Sequence, residues 1–211
     1  MKNIPIFDTE NGVATLILRE IPYTRKAYVR LQSVSDFEKM VEECRAFCRM
    51  CGADKIYATG NEGLEGYPYH TAMVEMRCCT DALPQTDACL FPVQEHTLEA
   101  FTRIYNEKMK AVPNSAWMDN EEGKRMLQIG DGYFVHRDGA LIGIGRVEAG
   151  MIRVVAATVS GGGREVVAAL APLAGETAAV EVATENRKAM ALYESLGFSA
   201  VREISRWYEI G

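Results

Sequence analysis

The sequence predicts an α/β (α+β) protein, and three observations carry that reading. Short apolar strands and amphipathic helices alternate along the chain. In the second half they run β-α-α-β-β-β-α-β-α-β-β. The most apolar of these strands, residues 151–159, runs straight into a glycine triplet at the start of a helix.

The elements follow in order. Residues 13–18 and 27–31 read as strands around a polar turn containing Pro22. Ser35-Asp-Phe-Glu38 has the spacing of a capping box, which places the helix N-cap at Ser35. Phe37, Met40, Val41, Cys44, Cys48 and Cys51 then follow one helical face, and Gly52 is a natural stop. Residues 55–58 and 72–78 read as strands on either side of a glycine-rich segment, 60–70. The polar segment 81–87, with its proline, is the best linker in the chain. Beyond it, 88–93 is a short strand and 95–111 a helix with Leu98, Phe101, Ile104, Tyr105 and Met109 on one side. Asp119 and Asn120 cap a short second helix ending near Leu127. Three strands come next, joined at Asp138-Gly139 and Ala149-Gly150, both hairpin signals. A helix covers 163–171, a strand 178–184 and a helix 186–197 with Gly197 at its stop. SAVREI and RWYEI read as two closing strands.

Composition limits the function. The chain has 211 residues, 48% apolar and 25% charged, as in ordinary globular proteins. A formal charge of −6 gives no electrostatic reason to bind nucleic acid or an anionic membrane. No apolar run approaches the roughly 20 residues of a membrane span, and the start does not resemble a signal peptide, so a cytoplasmic location is the default expectation. Cys44, Cys48 and Cys51 have spacing that also suits an iron–sulfur cluster, but they form one stripe of an amphipathic helix. Three histidines, none spaced with cysteine as in a zinc module, complete an expectation of no metal and no disulfide.

Two motifs carry a family resemblance. The first is Thr158-Val-Ser-Gly161-Gly-Gly163 followed by Arg164; the second is Asn186-Arg-Lys-Ala189-Met-Ala-Leu-Tyr193-Glu194-Ser-Leu-Gly197-Phe198. In this order, separated by one helix and one strand, they make residues 88–211 resemble the GNAT superfamily of acyl-CoA N-acyltransferases. The second motif matches the family's Asn, Ala, Tyr-Glu, Gly-Phe helix at every spacing. Thr158 stands where the family has Gln or Arg. The resemblance implies a mixed, mostly antiparallel central sheet with helices on both faces.

It also implies that Thr158, Val159, Ser160, Gly161, Gly162, Gly163 and Arg164 cradle coenzyme A, that Asn186 lies near the pantetheine arm, and that Tyr193 gives a proton to the departing sulfur. The physics agrees: backbone N–H groups at a helix start, reinforced by the helix dipole, favour a pyrophosphate. The reaction implied is direct transfer of an acetyl group from acetyl-CoA to a primary amine, small-molecule or peptide. Residues 151–159 contain no acid to serve as base; Glu148, Glu181 and Glu185 are near in sequence and stay unranked. Residues 1–80 repeat part of the same element order, and KIYATGNEG echoes VEVATENRK. They read as a truncated, degenerate GNAT-like region without a coenzyme site, because Ser33-Val-Ser-Asp36 stands where its glycine turn would be. Two other readings remain open: a non-catalytic acyl-CoA-binding or regulatory protein, and a partner-binding scaffold without coenzyme.

Overall fold

The computed structural model describes residues 5–211. The chain forms two compact units, one comprising the residues up to Ala72 together with Ile204–Gly211, the other Met73–Glu203. In chain order the elements are β1 (Ile6–Thr9), β2 (Gly12–Ile17), α1 (Ile21–Thr24), β3 (Lys26–Val34), α2 (Phe37–Met50), β4 (Lys55–Thr59) and β5 (Tyr69–Cys79). Then come β6 (Cys89–Pro92), α3 (Leu98–Met109), α4 (Asn120–Ile129), β7 (Gly132–Arg137), β8 (Ala140–Glu148), β9 (Met151–Ala157), α5 (Gly163–Leu170), β10 (Thr177–Ala183), α6 (Arg187–Ser195) and β11 (Ser199–Glu209).

In the first unit the strands lie in the order β1-β2-β3-β4-β11. β3 and β4 are parallel, zipped from Lys26↔Lys55 to Arg30↔Thr59, with α2 as the crossover. α2 buries most of the stripe read from the sequence, Met40, Val41, Cys44 and Cys48 packing with Val29, Leu31, Ile56 and Ala58, whereas Cys51 follows the last residue of the helix and is exposed. The cap differs from the expected one. Asp36 is the N-cap and accepts the Lys39 N–H at 3.2 Å, whereas the Ser35 hydroxyl donates to the carbonyl of Glu10. Asp36 wins because its carboxylate also pairs with Lys39 at 3.0 Å, which a hydroxyl cannot do.

The second unit is a mixed, mostly antiparallel sheet in the order β6-β7-β8-β9-β10-β5, with helices on both faces. β7, β8 and β9 form a meander whose turns place Asp138, Gly139, Ala149 and Gly150 at positive φ, the geometry of tight two-residue hairpins. α3 and α4 cover one face: Phe101, Tyr105 and Met126 pack on Phe134, Ile144, Val154 and Ala156. α5 and α6 cover the other: Val166, Val167, Leu170 and Tyr193 pack on Val135, Ile152, Val180 and Val182. Between α4 and the meander, Arg146 donates to buried Asp131 at 2.7 Å and to part-exposed Glu122 at 3.3 Å.

Two arrangements depart from the sequence reading. The closing segment is one strand, β11, because its two apolar-polar alternations run on without a turn residue. The expected linker, 81–87, lies inside the second unit: β5 precedes it and pairs antiparallel with β10 over seven positions, Thr177↔Cys79 to Ala183↔Met73.

Candidate functional site

β9 and β10 are parallel but bonded over only two positions, Met151↔Ala179 and Val180↔Ile152. Beyond them β9 continues to Ala157 and β10 to Ala183, so the facing edges of Arg153–Ala157 and Glu181–Ala183 have no ladder partner there. The cause is a β-bulge. Val147 faces Ile152 and Arg146 faces Val154, which leaves Arg153 as the extra residue on β9. A bulge bends its strand and re-aims side chains, and this one turns β9 away from β10. A backbone edge inside a sheet that pairs with nothing is a place for an extended ligand carrying amide groups. The first unit has the corresponding parallel pair, β3 and β4, but there five positions are zipped and no seam opens.

The glycine turn lies at the open end of this seam. Val166 makes the first full helical bond of α5, to the Gly162 carbonyl at 3.0 Å, so the N–H groups of Gly163, Arg164 and Glu165 point out of the helix start. Each glycine answers to a different constraint. Gly161 has φ +77°, with nothing within 4 Å of an added Cβ. A Cβ on Gly162 would lie 2.8 Å from Val159 Cγ2 and 3.2 Å from the Ile142 carbonyl, and one on Gly163 would lie 2.9 Å from Leu192 of α6. Thr158 is held on β8: its hydroxyl donates to the Leu141 carbonyl at 2.8 Å and its N–H to Ile142. Val159, Ser160 and Gly161 are exposed at the rim. Arg164 reaches across to α6 and donates to Ser195 Oγ at 3.1 Å. Glu165, an acid in the first turn that would oppose an anion, is ion-paired to Arg137.

The second motif builds the facing wall. Asn186 caps α6, its Oδ1 accepting the Ala189 N–H at 3.4 Å, and is half-buried. Tyr193 is 7% exposed among Val180, Val182, Leu196 and Phe198, its ring 5.4 Å from that of Phe198. Its hydroxyl has no hydrogen-bond partner among the described residues, and burial raises its pKa above that of an ordinary phenol. Leu192 of α6 lies against Gly163 at the start of α5, so the two motifs meet there, and Tyr193, one residue on, is buried in the core that includes Val180 and Val182 of β10.

Reading the sequence named Glu148 and Glu181 but left out Glu75 and the arginines that complete a charged row with them on the other face of β9, β10 and β5. Glu75 lies directly opposite Glu181 and is 1% exposed. Arg202 at 2.7 Å and Arg77 at 2.6 Å saturate its carboxylate and hold it below the usual glutamate range. Arg153 donates to Glu181 at 3.4 Å and lies 3.6 Å from Glu148. A glutamate inside the apolar run AMVEMRC was the available signal for Glu75, since a buried acid needs a cationic partner. No group of His, Cys, Asp and Glu suited to a metal ion occurs among the described residues. No described helix is long and apolar enough to cross a membrane.

No protein-family model matches the chain, and no curated protein matches it. Solved structures do. A conserved protein of unknown function from Staphylococcus epidermidis superposes with TM-score 0.62 at 10% identity, over 96% of this chain and 91% of that one. A GCN5-related N-acetyltransferase from Sphaerobacter thermophilus gives 0.55 at 16% identity, over 94% and 76%. A tandem GNAT protein from the clavulanic acid biosynthesis pathway gives 0.52 at 12% identity, over 95% and 79%. The fold of this chain is the GNAT fold, as the two motifs imply.

Proposed function

We propose that the chain is an acyl-CoA-dependent N-acyltransferase that moves an acetyl group from acetyl-CoA to a primary amine. The seam between β9 and β10 carries this reading, because it opens directly beneath a helix start able to hold a pyrophosphate. The dimensions suit the substrate. The arm between the pyrophosphate and the sulfur of coenzyme A is a chain of about thirteen bonds, roughly 15 Å when extended at ~1.2 Å per bond. The five steps from Thr158, just past the end of β9, back to Arg153 span about 17 Å at ~3.3 Å per residue. A pyrophosphate at Gly163 and Arg164 therefore puts the sulfur near the root of the seam, with its amides along the unpaired strand edges.

Tyr193 is on the α5/α6 side of that root. A phenol is a weaker acid than a thiol even before burial strengthens its hold on the proton. The hydroxyl thus supports the departing sulfur as a hydrogen-bond donor, and the thiolate leaves without a full transfer from Tyr193. Catalysis rests chiefly on alignment of the two substrates, which can remove about 7–11 kcal/mol of barrier. The first unit fits the reading of a truncated second copy. It repeats a hairpin, a parallel crossover and an asparagine cap after the strand, Asn61 accepting the Gly63 N–H at 2.8 Å. Its closed β3–β4 pair offers no coenzyme slot.

The test combines binding and turnover. Acetyl-CoA should raise the melting temperature, by about 2.7 kcal/mol of stabilisation at a hundredfold excess over Kd. Gly161→Val strains the turn where φ is +77° at a position with open space around an added Cβ, and should abolish that rise with only a modest loss of stability. A panel of amines should then release free thiol. No shift with millimolar acetyl-CoA rejects the reading; binding without turnover leaves a non-catalytic acyl-CoA-binding protein.

A further inference from the structure

We infer that Glu181 is the carboxylate that receives the amine and takes its proton, a role that rests on the acyltransfer reading above. The α5/α6 side of the seam root is filled by packed side chains, Ile152, Val180, Val182 and Tyr193 among them. An amine must therefore reach the thioester from the opposite face. Side chains alternate along a strand, so Glu181, between Val180 and Val182, stands on that opposite face. It is the first residue of β10 past the last paired position, Val180↔Ile152, where the reach of the coenzyme arm places the sulfur.

Three other acids on or beside these strands are excluded one by one. Glu148 faces Met151 across the β8–β9 turn, at the closed end of the strands. Glu185 follows the end of β10, on the glycine-turn side, and pairs with Arg187 at 3.6 Å. Glu75 is opposite Glu181 but is buried, with both oxygens bound by Arg77 and Arg202. Of these four, Glu181 is the one both at the root and open to solvent, 39% exposed. Its one side-chain hydrogen bond among the described residues comes from Arg153 at 3.4 Å, a cation it shares with Glu148. Like charges directly opposite on paired strands are unfavourable. The two glutamates persist side by side because arginines compensate them from both ends, and the open member is ready for an ammonium group. The bulge matters here as well: it turns Arg153 to the side of Glu148 and Glu181, and so fixes the carboxylate at the seam.

The step balances without another reactant. The alkylammonium group gives one proton to the Glu181 carboxylate, and the freed nitrogen lone pair forms the C–N bond to the thioester carbon. The C–S bond breaks with its electron pair on sulfur, and the second amine proton passes to water. Glu181 returns its proton to solvent after the products leave. The charged groups around it are Arg153 and Glu148 from β9 and β8, Glu75 and Arg77 from β5, and Arg202 from β11.

The experiment compares the parent chain with Glu181→Gln and Glu181→Asp, using n-butylamine, alanine amide and Nα-acetyl-lysine amide as acceptors. Glu181→Gln should lower kcat/KM for the best acceptor by about 100- to 10,000-fold. It should also remove the acidic limb of the pH profile, and Glu181→Asp should restore both in part. A second readout needs no reaction: with free coenzyme A bound, amine affinity measured by calorimetry should fall at least tenfold in Glu181→Gln. The Kd for acetyl-CoA should stay within twofold. Unchanged kcat/KM, pH profile and amine affinity overturn the role of Glu181 while acyl transfer stands. A parent chain that binds acetyl-CoA yet accepts none of the amines also overturns it. A parent chain that does not bind acetyl-CoA overturns the acyltransfer reading itself.

Discussion

Replacing Tyr193 by Phe removes one oxygen from a side chain that is 7% exposed and keeps the ring that packs against Phe198 at 5.4 Å. That oxygen makes no hydrogen bond to any described residue. The oxygen is not among the buried polar atoms that lack a partner, so it keeps a contact with solvent and carries little desolvation cost. Tyr193→Phe should therefore leave stability within about 0.5 kcal/mol, a change of no more than roughly 2 °C in Tm for a chain of this size. The ring is retained, so no cavity opens. If the hydroxyl supports the departing sulfur, kcat should fall about tenfold to a hundredfold, since a hydrogen bond to a charged group contributes about 1.5–3 kcal/mol. Acetyl-CoA affinity should barely move. Thermal unfolding and initial-rate measurements at saturating substrates separate the two effects. A drop in Tm of several degrees would show that the hydroxyl is bonded within the fold, and an unchanged kcat would remove Tyr193 from the chemistry.

Three further outcomes are expected. Burial raises the pKa of Tyr193 and Tyr28, so their contribution is fully present below the unfolded value near pH 10 and is lost as pH rises beyond it; unfolding free energy measured with urea should fall by up to about 1.4 kcal/mol per pH unit for each tyrosine, and Tyr193→Phe should show the smaller fall. In the native state a thiol reagent should label Cys51, Cys79 and Cys89 quickly, while buried Cys44 and Cys48, with pKa values pushed up to about 12, react only after denaturation; six fast thiols would contradict this. Arg146→Leu leaves Asp131 and Glu122 without their buried cation and should cost about 3–5 kcal/mol by chemical denaturation, and a loss below 1 kcal/mol would show that the triad is solvated.

The meander, the helices and both motifs of the second unit were legible because their signals are local. The periodicity of Leu98, Phe101, Tyr105 and Met109, the hairpin residues Asp138-Gly139 and the helix stop Gly197 each act over a few residues. The seam was not legible, since it depends on which strands stop pairing. The register Val147↔Ile152 followed by Arg146↔Val154 is a tertiary property that no window of sequence displays. The place of β5 beside β10 was hidden for the same reason, and with it the apposition of Glu75 and Glu181. Ranking the three acids needed the direction in which β10 leaves β9. The glycine triplet was found, but its packing against Ile142 and Leu192 shows that two of its members also serve the fold.

Hydrogen exchange with and without acetyl-CoA tests whether the seam is the coenzyme site. Binding there should slow exchange of the amides from Val154 to Glu165 and of Val182 to Asn186, which edge the seam and the helix start. Residues 26–34 and 55–59, whose strands are zipped, should be unchanged. Protection confined to the first unit, or none at millimolar acetyl-CoA, would contradict a coenzyme held between β9 and β10.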